Sequence, residues 1–175
     1  MKVSQLVLVG VAASLFAGAV LADGCRVIVP VPVAGHVYNG PTECDGGTLK
    51  NATVNGPLKV RGTTFTNELT VNGPAILDSA SLNSMKINGP LLVKNSTIHG
   101  VLSIATDVLK LQKTSVDNIV VRDGESSEVS KVFITEHSTV KGNITFTNKA
   151  GEVFLEPNSK IKGKVKNGTL AHLKA

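Results

Sequence analysis

One heptapeptide plan recurs along this chain and leaves little freedom over its fold. Val54-Asn55-Gly56-Pro57-Leu58-Lys59-Val60 returns as Val71-Asn72-Gly73-Pro74-Ala75-Ile76-Leu77. It returns again as Ile87-Asn88-Gly89-Pro90-Leu91-Leu92-Val93, at intervals of 17 and then 16 residues. Looser copies begin at Ile98, Val140 and Ile161. A second unit interleaves with the first: a short alternating strand, a Ser/Thr/Asn turn, then an apolar closing residue. Its closing residues are Val54, Phe65, Leu82, Ile98, Val116, Val140 and Ile161. Between turns the residues alternate apolar and polar, as in Leu58-Lys59-Val60 and Val132-Phe133-Ile134. Period two over three to five residues, broken by Gly, Asn and Ser, means short strands with one buried side. No convincing helical period follows the N-terminal segment, and Leu102 to Leu111 also reads as strand.

Short strands repeating every 16 to 24 residues predict an all-β chain wound as a single-stranded β-helix, or β-solenoid. One coil cannot bury its apolar side alone, so its stacked neighbours must supply the core. Equivalent residues then lie above one another at the strand spacing of about 4.8 Å. Asn55, Asn72 and Asn88 are expected to form a ladder of side-chain amides. Gly56, Gly73 and Gly89 are expected at positive φ in a corner. Pro57, Pro74 and Pro90 should each start a strand, where a missing N–H matters least. An antiparallel sandwich or barrel also uses many short strands, but it does not require near-identical heptapeptides at fixed spacing.

The N-terminus reads differently. Lys2, the apolar run from Leu6 to Leu15 and the small residues up to Ala22 read as a secretory signal over residues 1–22, expected to be cut after Ala22, with Ala19 as the second choice. A lipid anchor on Cys25 is disfavoured, because Ala22 and Asp23 occupy the positions where a lipoprotein signal wants a Leu-like and a small residue. The expected product is exported, periplasmic or extracellular. Cys25 and Cys44, 19 positions apart, are expected to pair in that oxidising compartment. Residues 23–48, with Pro30, Pro32 and Pro41, read as a disulfide-bearing cap, and residues 49–175 as the solenoid.

At this level of repeat, the Gly-punctuated coils from Leu49 to Val165 resemble the bactofilins, bacterial polymer-forming proteins with a small β-helix. The resemblance lies in period and alternation. It implies the fold, and it brings self-association into view. The signal peptide, the cysteine pair and the Asn-Gly-Pro corners depart from that family's usual cytoplasmic form.

Little catalytic chemistry is visible. His36, His99, His137 and His172 are scattered without ligand spacing and read as exposed turn residues. Asp123, Glu125 and Glu128 form an acidic loop without the repeats of calcium-binding β-rolls, so no metal or other cofactor is expected. Asp78, Asp107 and Asp117 are the candidate acids of the alternative reading, a polysaccharide-active β-helix enzyme or carbohydrate-binding protein. Aromatic residues are 3% of the chain and Trp is absent, which counts against stacking on sugars or on single-stranded nucleic acid. Nucleic acid is not an expected partner. The Asn-x-Ser/Thr triplets at Asn51, Asn95, Asn143 and Asn167 fall largely in corners that need such residues anyway.

The sharpest electrostatic feature is Lys160-Ile161-Lys162-Gly163-Lys164-Val165-Lys166. Strand alternation would put Lys160, Lys162, Lys164 and Lys166 on one side, as an anion-binding row or as edge protection. The leading expectation is therefore a non-enzymatic structural or binding scaffold. It would present polar ladders to an anionic envelope polymer or glycan, to a partner protein, or to itself.

Overall fold

The computed structural model describes residues 25–27, 36–122 and 128–174. The expected signal peptide lies outside these residues, as do Asp123 and Glu125 of the acidic loop. The described chain is all-β and wound into a β-solenoid of parallel strands.

Each coil contributes one short strand to a nine-stranded sheet. Thr42–Asp45, Leu58–Arg61, Ala75–Asp78, Leu91–Lys94, Val108–Gln112, Lys131–Thr135, Gly151–Leu155 and Gly168–His172 run parallel in this order. The rest of each coil lies in a second sheet. Its long strands Thr64–Asn72, Ser81–Asn88, Thr97–Ala105 and Ser115–Arg122 are irregular in mid-course, with register shifts between Phe65 and Glu68 and between Ile98 and Val101. In the last two coils the strand separates there, into Thr139–Val140 with Ile144–Phe146 and Lys160–Ile161 with Val165–Lys166. Each coil therefore turns three corners and presents three faces.

The core is a set of axial columns, because stacking places equivalent inward residues above one another. One column runs Leu58, Ala75, Leu91, Leu109, Val132, Val153. Another runs Phe65, Leu82, Ile98, Val116, Val140, Ile161. All but the terminal Ile161 are buried. After the first sheet the chain turns through residues at positive φ, Gly62, Ser79, Asn95 and Lys113. Buried hydroxyls follow this corner. Ser96 Oγ accepts the N–H of Ala80, and Ser138 Oγ accepts that of Thr114. These contacts satisfy buried amides that the turn removes from the strand ladder.

The parallel ladder begins earlier than the expected boundary at Leu49. Val37–Asn39 already pairs with Ala52–Asn55, and Thr42–Asp45 with Leu58–Arg61. The reason is a further corner, Asn39-Gly40-Pro41, which stacks on Asn55-Gly56-Pro57. What lies across this end is the strand Cys25–Val27, which runs antiparallel to Thr42–Asp45. The Cys25–Cys44 disulfide pins it there. Replacing both cysteines by serine is expected to lower the unfolding free energy by about 3 kcal/mol. Urea titration of the oxidised protein and the double variant reads this difference; equal midpoints would remove the latch role.

Candidate functional site

The corner residues singled out by the repeat come together as a ladder. The Asn55 amide donates to Asn39 Oδ1, Asn72 to Asn55, and Asn88 to Asn72, each at 2.8 Å. Arg122 reaches Asn88 Oδ1 from beyond, at 3.3 Å. Gly56, Gly73 and Gly89 have φ of 147°, 151° and 144°. Pro57, Pro74 and Pro90 each immediately precede a strand, and the carbonyls of all three accept from the neighbouring coil. Asn55, Asn72 and Asn88 each donate within the ladder, so these residues shape the corner.

Outward side chains form three kinds of face. On the first sheet, Lys59, Ile76, Leu92, Lys110, Phe133 and Phe154 stand in one column. Phe133 and Phe154 stack at 4.8 Å, with the Lys110 ammonium 5.8 Å from the Phe133 ring. Counting aromatics along the chain misses this pair, because the register that joins them spans a coil. The next face carries a hydroxyl column, Thr64, Ser81, Thr97, Ser115 and Thr139, ending at Lys160. The third face carries Thr53, Thr70, Lys86, Ser103, Val120 and Thr145, ending at Lys166.

The candidate acids are not gathered into a cleft. Asp78 accepts from Asn95 at 2.9 Å and from Ser79 at 3.1 Å. The Asn95 hydrogen bond, then that of Ser79, holds its carboxyl below the ordinary range, against some desolvation and with help from Lys94 and Arg61. Asp117 pairs with Lys141 at 3.0 Å. Asp107 lies at another corner, where its carbonyl accepts the N–H of Lys131. His36, His99, His137 and His172 are exposed on separate parts of the solenoid. Among the described residues no three His, Cys, Asp or Glu side chains are grouped to hold a metal.

The four lysines occupy the terminal coil, and all are exposed. They do not form the single row that simple alternation suggests. Lys160 lies on one face and Lys166 on the next, while Lys162 and Lys164 flank the corner at Gly163. Asn143 Oδ1 accepts the Lys164 N–H across this corner, at 2.9 Å. The result is an arc of ammonium groups around the end of the solenoid, with no side-chain partner for any of the four among the described residues.

The surrounding charge is lopsided in the same direction. From Thr139 to Lys174 there are seven lysines and two glutamates, an excess equal to the formal +5 of the whole chain. The first coils balance their charges locally, with Lys59 beside Glu43 at 3.7 Å and Lys86 beside Glu68 at 2.9 Å. A neutral body thus carries a basic end, which attracts anions over roughly a Debye length, about 10 Å at moderate salt. No protein-family model matches this chain, and no characterised protein or solved structure matches it significantly.

Proposed function

We propose that this protein is an exported, non-catalytic scaffold that engages an anionic component of the cell envelope through its basic C-terminal coil. The carrying observation is the concentration of the chain's whole net charge on the last two coils, with four unpaired exposed lysines around one end. The disulfide supports an oxidising, exported setting. The acids are tied to separate corners and ion pairs, which favours a scaffold over the polysaccharide-active alternative. Self-assembly by continued parallel stacking of coils is disfavoured at the N-terminal end, where the strand Cys25–Val27 runs antiparallel to Thr42–Asp45.

The test is binding of the purified mature chain to an immobilised soluble polyanion, such as polygalacturonate, across salt. The wild type is expected to bind at low salt and release by about 0.5 M, where screening shortens electrostatic reach to a few ångströms. Replacing Lys160, Lys162, Lys164 and Lys166 together by glutamine is expected to weaken binding by more than about tenfold without unfolding, since all four are exposed. Binding that survives both the salt and the substitutions would overturn the reading.

A further inference from the structure

The two ends of the solenoid differ in a way the charge alone does not describe. At the N-terminal end the strand Cys25–Val27 adds an antiparallel strand to the first sheet; Val37–Asn39 and Thr48–Leu49 of the second sheet pair on one side only among the described residues, yet Tyr38 and Leu49, which start the inward columns there, are buried. At the C-terminal end three strands, Lys160–Ile161, Val165–Lys166 and Gly168–His172, pair on one side only among the described residues. Inward columns that are buried for the length of the molecule end there on Ile161, Val165 and Leu170. Ile161 and Val165 are half-buried, and Leu170 is 43% exposed although Val153, directly beneath it, is 0% exposed. The end therefore has an apolar centre and an arc of four lysines. It also has backbone N–H and C=O groups directed along the axis with no neighbouring strand to meet among the described residues.

We propose that this end docks on an anionic phospholipid surface, with the solenoid axis directed away from the membrane; this rests on the basic-end reading above. Charge complementarity selects the occupant. Lys160, Lys162, Lys164 and Lys166 lie around the perimeter of one coil, turning the Gly163 corner, so together they face a plane better than a linear chain. A polymer lying along a face would instead need cations repeating from coil to coil. Two faces carry mainly hydroxyls at those positions, and on the first sheet Lys59 and Lys110 are separated by Ile76 and Leu92 and followed by Phe133 and Phe154. In the docked state the lysines meet lipid phosphates, and the free backbone N–H groups of the edge donate to the same oxygens at headgroup depth. The side chain of Leu170 enters the boundary between headgroups and acyl chains, where apolar burial adds to electrostatic attraction. A second copy docking end to end would bring two lysine arcs together, which the like charges oppose.

The experiment is sedimentation of the mature full chain with vesicles of phosphatidylcholine, alone or mixed with phosphatidylglycerol, beside the immobilised polygalacturonate assay. The expected result is binding to the mixed vesicles and not to phosphatidylcholine alone. Each Lys→Gln substitution among the four is expected to weaken this binding by about fivefold. Leu170→Ser is expected to weaken vesicle binding while leaving polygalacturonate binding unchanged. Equal binding to both vesicle types, or vesicle binding indifferent to the lysines, would overturn the membrane proposal. Polygalacturonate binding without vesicle binding would overturn it too, while leaving the basic-end reading intact. Failure to bind either would remove both.

Discussion

Gly73→Ala is expected to lower the unfolding free energy by about 3 to 5 kcal/mol, enough to consume much of the stability of an ordinary domain. Gly73 sits at φ 151°, a conformation L side chains rarely adopt. Space compounds the strain. A Cβ there would lie 2.7 Å from the Gly56 carbonyl oxygen and 2.8 Å from its carbon. Those atoms are backbone, held by the ladder on both sides, so they can yield only if coils separate. The same contact repeats up the corner, since a Cβ on Gly89 would meet Gly73 at 2.7 Å. Gly62 supplies the control. It also has positive φ, 59°, but a Cβ there meets nothing within 4 Å. Asn95 and Ser79 hold the equivalent corner in later coils at φ 47° and 56°. Gly62→Asn should therefore change stability by less than about 1 kcal/mol, because Asn tolerates the left-handed region. Comparable urea midpoints for Gly73→Ala and Gly62→Asn would refute the stacked-glycine argument.

The second large effect is expected at the centre of the core. Leu109→Ala should cost about 2 to 5 kcal/mol, the sum of lost transfer energy and an unfilled cavity. Leu109 is 0% exposed, between Leu91 of one neighbouring coil and Val132 of the other. Those neighbours cannot close in, because their own strands are held in register on either side. Leu170→Ala removes the same side chain from the open end, where it is 43% exposed, and should cost less than about 1 kcal/mol. A solenoid coil is stabilised by its immediate neighbours, so a void in the middle weakens two interfaces and the end position only one. Leu109→Ala should also split the transition: hydrogen exchange near Leu109 should accelerate before exchange near Val60 does. Equal losses for the two leucine variants would refute this nearest-neighbour argument.

Much of the architecture was legible from local pattern. Period-two alternation identified the strands, and the closing residues Phe65, Leu82, Ile98, Val116, Val140 and Ile161 do stack in one column. Val54, grouped with them by sequence, belongs to a different column, between Tyr38 and Val71. Its local context, Lys50-Asn51-Ala52-Thr53, looks like the other turns but lies at a different corner. The corner Asn39-Gly40-Pro41 keeps its tripeptide but not the flanking heptapeptide pattern. Tyr38, Thr42 and Cys44 stand where the other copies have Val or Ile, Leu or Ala, and Val or Leu, which hid the alignment. The tripeptide by itself marks the first corner, and the parallel ladder accordingly starts at Val37.

Sequence alone determined that this chain winds into stacked parallel coils, since a short alternating strand repeated at near-constant spacing buries its apolar side only against copies of itself. It also determined the Asn and Gly ladders, because each repeat carries the residue and stacking brings the copies together. Tertiary structure alone decided where the lysines go and at which end the apolar columns are left uncovered. Alternation has no knowledge of the corner at Gly163, which distributes Lys160 to Lys166 around a perimeter. Nor does local pattern reveal that Cys25–Val27 runs antiparallel across one end while Ile161, Val165 and Leu170 terminate columns at the other. Those properties depend on what lies above and below each coil, and a neighbour one coil away is beyond the reach of any local reading.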